Sequence, residues 1–359
     1  MSDVVIIGAG VVGMMTARDL ALRGADVTVL DRGCVGGESS WAGGGIVSAL
    51  IPWRAADEIN QLILWGHSRY EKLAQSLYDE TGVDVQWYQS GMCVLSQEED
   101  EGCSWAKAHS LDAESLNQED LSTIFPDAKA FDCNGFATRL PGVAQIRNPR
   151  LIKALRASLG KLDVKLYEHC LVESVEAQKG GKFTVKTPDR LYLADKVVVC
   201  AGAWAAQLMP ELRQRNIKPM RGEMLLYKAE PGLLAHIIVT DDCYLIPRTD
   251  GHILCGSTVS DVGFDRSTTP QALVQLSARA ECLLPSLKAI SIVGHWAGLR
   301  PGSDTGIPVI SRSTEHENLF VSCGHFRNGI AMAPASAQLM SDLVEGVESP
   351  IECLPYALA

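Results

Sequence analysis

Two glycine-rich elements near opposite ends of the chain carry residues whose types and spacing suit chemistry. Gly8, Gly10 and Gly13 follow the apolar run Val4–Ile7 and open a helical pattern. In this spacing the first glycine permits a tight turn and the second lets backbone approach a pyrophosphate. The third allows close helix–strand packing. The N–H groups and positive dipole end of the helix then face the phosphates. Asp31, eighteen residues beyond Gly13, can accept hydrogen bonds from ribose hydroxyls. This identifies a dinucleotide site and leaves NAD and FAD both open. The second element, Leu319 to Ile330, repeats the order strand, glycine, helix. If both ends meet one cofactor, it must be long, as flavin adenine dinucleotide (FAD) is.

The loop after Asp31 bears on that choice. Residues 36–46 (Gly-Gly-Glu-Ser-Ser-Trp-Ala-Gly-Gly-Gly-Ile) offer hydroxyls for phosphate and small residues that let backbone lie against a flat ring. No Gly-x-Ser-x-Gly elbow or P-loop is visible, and no His, Cys or carboxylate cluster has metal-ligand spacing, so no metal is expected.

The elements that must position these residues read as follows. Val4–Ile7, a helix over Val11–Arg23 stopped by Gly24, and Val27–Leu30 form a β-α-β unit. Residues 33–45 hold too many glycines for a regular element. A helix is expected over Asp57–Glu80, a strand over Gln86–Ser96, and a solvated helix start and surface face over Glu98–Lys129. Another helix is expected over Asn148–Leu159, with strands over Val164–Val175 and Phe183–Val185. Lys196–Trp204 reads as a buried strand entering a glycine turn and helix. Short strands at Glu223–Tyr227, His236–Val239, Tyr244–Pro247 and Ile253–Cys255 follow, with Asp250-Gly251 as a hairpin turn. The parallel pieces 1–45, 140–210 and 291–359 are expected to form one discontinuous domain. Segments 46–139 and 211–290 are expected to form a second, mainly antiparallel one. The fold class is α/β plus α+β.

The 359 residues are 47% hydrophobic and 21% charged, a folded globular composition. A net charge of −11 and a pI near 5.2 argue against nucleic acid or an anionic membrane as partner. The eleven cysteines include no C-x-x-C pair, and several sit in apolar runs, as reduced thiols of a cytoplasmic protein do. Met1-Ser2-Asp3 lacks the basic start of a secretory leader, and no apolar run suggests a transmembrane segment.

Taken together, the N-terminal motif, the 36–46 loop, Val-Val-Cys-Ala-Gly-Ala-Trp (198–204), Tyr-Leu-Ile-Pro-Arg (244–248), Gly-Leu-Arg-Pro-Gly-Ser-Asp-Thr-Gly-Ile-Pro (298–308) and Gly-His-Phe-Arg-Asn-Gly-Ile (324–330) resemble the FAD-dependent D-amino acid oxidase superfamily. The similarity is greatest to glycine oxidases of the thiamine-pathway type, and it runs in order across the whole chain. It implies a Rossmann-like, glutathione-reductase-like FAD domain with a second, antiparallel substrate domain. It also assigns roles. Gly8, Gly10, Val11, Val12, Gly13, Asp31 and Arg32 would hold the ADP half, with Val172, in a strand, at the adenine. Ser39, Ser40, Gly44, Gly45, Ile46, Ala201 and Gly202 would line the pyrophosphate and flavin. His325, Phe326, Arg327, Asn328, Gly329 and Ile330 would bring backbone to the isoalloxazine edge. Cys323 lacks the attachment context of the sarcosine oxidase relatives, which bind flavin covalently through Cys, so noncovalent FAD is expected.

The substrate residues also follow from chemistry. An amino acid carboxylate suits a planar bidentate cation, and Arg300 is the first choice for it. Tyr244 would donate to the same carboxylate and Arg327 would sit on the other side. His295 and His325 read as structural, because hydride transfer from Cα needs a neutral, placed amine rather than a protein base. Trp41 and Pro52-Trp53-Arg54 are bulky residues expected near the pocket, where they would alter side-chain tolerance. The expected reaction is oxidative deamination of glycine or a small D-amino acid to the 2-oxo acid and ammonia, with O2 or another acceptor taking the electrons. A D-amino acid dehydrogenase using a quinone is the alternative. A flavin domain without turnover would have lost the clamp, and the presence of Arg300 and Arg327 counts against it. Homo-oligomer formation stays open.

Overall fold

The computed structural model describes residues 2–95, 101–125 and 137–358. Among these residues two eight-stranded sheets form the frame. The first runs Val309–Arg312, Leu319–Cys323, Leu191–Val199, Ser2–Ile7, Val27–Leu30, Lys165–Tyr167, with a Ser174–Ala177/Phe183–Lys186 hairpin joined to Leu191–Val199. Ser2–Ile7 lies between two parallel neighbours, pairing Ile7 with Leu30 on one side and Val199 on the other. Burial on both faces explains its unbroken apolar run. Helices Val11–Leu22, Asp57–Thr81, Asn148–Lys161 and Gly329–Glu345 pack on one another and on this sheet, sharing one apolar core.

The second sheet runs Ile292–Gly302, Lys218–Lys228, His252–Gly256, Tyr244–Pro247, Ile237–Val239, Met92–Leu95, Ala137–Leu140, Glu114–Leu116. It is antiparallel except where Ile237–Val239 meets Met92–Leu95. Asp250-Gly251 makes the expected turn, with Gly251 at φ +85.

The expected segments need adjustment in several places. Residues 292–302 pair with Lys218–Lys228 along their length and so belong to the antiparallel sheet, not to the parallel pieces. Asp57–Thr81 instead shares the core of the first sheet, through Leu62, Ile63, Tyr70 and Leu77. Ser39–Ala42 is a short helix inside the glycine-rich loop, where no regular element was expected. The strand expected from Gln86 shrinks to Met92–Leu95. The strand expected over Val164–Val175 is interrupted, and Val172 lies in the gap. There the backbone is diverted: His169 N–H donates to the Gly33 carbonyl and Cys170 N–H to the Asp31 carbonyl. Of the polar stretch, residues 98–100 and 126–129 lie outside the described residues, as does Cys133. A helix at Glu101–Ala108, mostly solvent-facing, begins what remains. No described helix is long and apolar enough to cross a membrane.

Candidate active site

The two glycine-rich ends converge. Gly10, Val11, Val12 and Gly13 line one cavity with Phe326, Arg327, Asn328, Gly329, Ile330 and His325. Ser39, Ser40, Gly44, Gly45 and Ile46 form another side, and Tyr244 and Arg300 stand toward the second sheet. Gly8, Asp31, Arg32, Val172 and Ala201 line an adjoining cavity. Gly10, Ser39, Ser40, Cys200 and Gly202 line both, so a single groove runs from Asp31 to Arg300. Every residue predicted for the site lies along it.

The turn at its centre depends on absent side chains. Gly8 has φ +107, and a Cβ there would fall 2.4 Å from the Cys200 carbonyl oxygen; one at Gly13 would fall 2.0 Å from the Gly8 oxygen. Met14 N–H is bonded within the helix, to the Gly10 carbonyl, while Val11 N–H donates to Ser40 Oγ at 2.9 Å. The 39–46 loop is thereby tied to the helix start. Asp31 accepts from the N–H groups of Ala9 (2.7 Å) and Gly33 (2.8 Å), leaving further lone pairs for ribose hydroxyls. Burial raises its pKa, against which these two bonds act. Arg32 stacks over Trp204 at 3.5 Å and pairs with Glu38. On the groove's floor Ser322 Oγ is buried with no hydrogen-bond partner. A long groove, a glycine cradle, a carboxylate at one end and an unpartnered hydroxyl in its floor fit FAD.

At the other end Arg300 projects from Ile292–Gly302. Its Nη1 donates to the Thr258 carbonyl (3.1 Å) and its Nη2 to Ser257 Oγ (2.7 Å). Burial lowers its pKa, Tyr244 opposes that shift, and Arg327 adds to it. The buried Tyr244 hydroxyl donates to Met224 Sδ at 3.1 Å. Arg327 is exposed, with its guanidinium over the Phe326 ring. Both histidines are tied to protein partners, as expected. His325 Nε2 meets Ser336 Oγ at 2.9 Å, and burial lowers its pKa to about 4. His295 Nε2 lies 2.9 Å from buried Glu223, which also accepts from Thr269.

The bulky residues expected near the pocket do not form its walls. Trp41 is 44% exposed and sits edge-on to Trp296, Trp53 packs on the antiparallel sheet, and Arg54 pairs with Asp241. Leu50 and Met224 line that side instead.

Arg248, which closes the Tyr-Leu-Ile-Pro-Arg run, carries no local sign of a role in the site. It is buried and donates to Gln145 Oε1 (2.6 Å), the Ile146 carbonyl (3.1 Å) and the Gly44 carbonyl (2.8 Å). Burial brings its pKa down to about 10. Asn148 holds the same loop, donating to the Ser40 carbonyl at 2.8 Å.

Comparison with known proteins agrees with this geometry. The family model described as "DAO: FAD dependent oxidoreductase" matches residues 3–343. A glycine oxidase of Pseudomonas putida is 43% identical over 99% of this chain and 98% of its own length. That of Pseudomonas aeruginosa is 41% identical with the same coverage. The crystal structure of glycine oxidase from Geobacillus kaustophilus superposes with a TM-score of 0.93 at 27% identity, covering 100% of this chain and 98% of that one. With the groove, the cradle and the full-length match in agreement, the chain belongs to the DAO family of FAD-dependent oxidoreductases.

Proposed function

We propose that this protein catalyses oxidative deamination of glycine or a small D-amino acid, giving a 2-oxo acid, ammonia and, with O2, hydrogen peroxide. One observation carries the reading: a protein-held arginine, Arg300, stands with Tyr244 at the end of the groove where both glycine-rich elements meet. When bound, FAD supplies the acceptor for the hydride leaving the substrate Cα, and O2 then takes the two electrons. Arg300 pairs with the substrate carboxylate, and Tyr244 turns its single phenolic hydrogen from Met224 Sδ to the same group. Arg327 flanks the opposite side. Leu50 and Met224 wall the space beyond the clamp, which suits a short side chain. His325 bonds Ser336 and, with burial lowering its pKa to about 4, is too weak a base to hold the amine proton; hydride transfer from Cα then acts on the neutral fraction of a correctly placed amine. Water hydrolyses the released imine.

The relatives at 41–43% identity carry the name oxidase, which weighs against the quinone-linked alternative. FAD is held noncovalently in this reading. Cys323 is buried, and burial pushes its thiol well above the ordinary range, leaving little thiolate for attachment. Acid precipitation should leave a colourless pellet and a yellow supernatant. Buried thiols such as Cys93, Cys200 and Cys323 suit the reducing cytoplasm.

The test is consumption of glycine, sarcosine and a panel of D- and L-amino acids in air. The reading expects O2 uptake matched by peroxide, with a matching yield of 2-oxo acid. Turnover with a quinone dye but not with O2 would make the protein a dehydrogenase, and no turnover with any amine would overturn the assignment.

A further inference from the structure

The amino-acid end of the groove opens into a second, polar chamber. Leu50, Tyr244, Ser257 and Arg327 line both spaces. Cys243 lies in the wall of the second chamber, and its Sγ is 3.7 Å from the Sγ of Cys255. The two thiols belong to neighbouring antiparallel segments: Cys255 faces Leu245 across the ladder, and Cys243 immediately precedes Tyr244–Pro247. A disulfide needs a sulfur–sulfur distance of about 2.05 Å, so a contraction of about 1.7 Å would join them.

We propose that Cys243 and Cys255 form a dithiol–disulfide site oxidised by hydrogen peroxide, and that the bridge weakens the amino-acid clamp beside it. The peroxide source rests on the oxidase reading above. Peroxide formed in the groove reaches Cys243 through the shared opening. The Cys243 sulfur attacks one peroxide oxygen; the S–O bond forms, the O–O bond breaks and one water leaves. The Cys255 sulfur then attacks Cys243; the S–S bond forms, the S–O bond breaks and a second water leaves. Overall two thiols lose two electrons and two protons, and one peroxide becomes two waters.

The order of attack follows from position. Both cysteines belong to one buried apolar core, but Cys243 borders the chamber and keeps 3% exposure, whereas Cys255 is fully buried and donates to the Leu276 carbonyl at 3.5 Å. Its contact with Cys243 and its burial push the Cys255 thiol well above the ordinary range, which makes it the poorer first nucleophile and slows the closing step. Scarce thiolate makes the reaction slow, so the bridge accumulates over many turnovers.

The consequence follows from what adjoins each sulfur. Cys243 precedes Tyr244. Cys255 precedes Gly256 and Ser257, and Ser257 Oγ receives the Arg300 hydrogen bond. There is no slack between them: a Cβ on Gly256 would fall 2.6 Å from the Tyr244 hydroxyl oxygen and 2.3 Å from Met224 Sδ. Drawing these segments together displaces both clamp groups without touching the glycine cradle.

The experiment uses the holoenzyme in two arms, added hydrogen peroxide and sustained glycine turnover in air with or without catalase. Peptide mapping after alkylation of free thiols reads the product. We expect a Cys243–Cys255 disulfide in both arms, suppressed by catalase in the turnover arm. The KM for glycine should rise at least several-fold with FAD retained, and dithiothreitol should restore it. Cys243→Ser and Cys255→Ala should each keep their KM through the same treatment. Free thiols after added peroxide, or sulfinic acid at Cys243 without a bridge, would overturn the site. A bridge without any change in KM would overturn its coupling to the clamp. If glycine yields no peroxide, the oxidase reading fails, while the added-peroxide arm still decides the site.

Discussion

Gly222 makes room for Arg300. A Cβ on Gly222 would lie 1.9 Å from Arg300 Nη1 and 2.2 Å from Cζ, so the guanidinium occupies the space a side chain would take. The two residues sit on adjacent strands, where Gly222 pairs with Gly298 and Arg300 with Met220. The position of the Arg300 guanidinium is therefore set by a residue with no side chain of its own.

Gly222→Ala tests this directly. The neighbour that must give way is the end of a flexible side chain, so the protein should fold with FAD bound. The displaced guanidinium loses its alignment with Ser257 and Thr258. The KM for glycine should rise by about 10-fold or more, because one charged hydrogen bond is worth about 1.5–3 kcal/mol. An unchanged KM would show that the arginine has room elsewhere.

The gathering of the N-terminal glycines and Asp31 along the groove is legible in the sequence because it depends on local pattern. Gly8, Gly10, Gly13 and Asp31 need only their spacing and a strand before them. Arg300 and Tyr244 were reached through the chemistry of a carboxylate. Gly222 and Arg248 were not, since their roles arise from pairing across strands and from loops far apart in the chain: Arg248 meets Gly44 and Ile146. The Val164–Val175 run has strand character, so the sequence alone puts Val172 in a strand. The backbone there bonds instead to the loop at Asp31 and Gly33, a competing partner that local pattern does not reveal. The sequence likewise puts residues 292–302 among the parallel pieces, because local pattern does not name a strand's neighbour, here Lys218–Lys228.

Arg248 should matter for holding the flavin-side loop. Its removal leaves the Gly44 and Ile146 carbonyls and the Gln145 side chain without their buried donor. Arg248→Met should cost about 3 kcal/mol of stability. It should also weaken FAD binding, read by flavin fluorescence on dilution. Unchanged stability and FAD affinity would mean that water replaces the guanidinium.

His325 gives a pH dependence with a defined sign. Its folded pKa, about 4, lies below the ordinary 6.5, so between these values the unfolded chain binds more protons. Its stabilising contribution is full above pH 6.5 and is lost as pH falls toward 4. The difference corresponds to about 3 kcal/mol. His325→Gln, which keeps a donor for Ser336, should flatten the loss between pH 7 and pH 5 in urea unfolding. Parallel curves for the two proteins would show that His325 is not the group responsible.

The most direct test of the amino-acid reading is anaerobic mixing of the yellow protein with glycine, wild type beside Arg300→Ala, following flavin absorbance. The wild type should bleach and then recover its colour with release of peroxide when air is admitted. Arg300→Ala should bind FAD as tightly yet need about 100-fold more glycine to bleach, the loss expected for a buried charge pair. Equal bleaching at the same glycine concentration in both proteins would contradict the account.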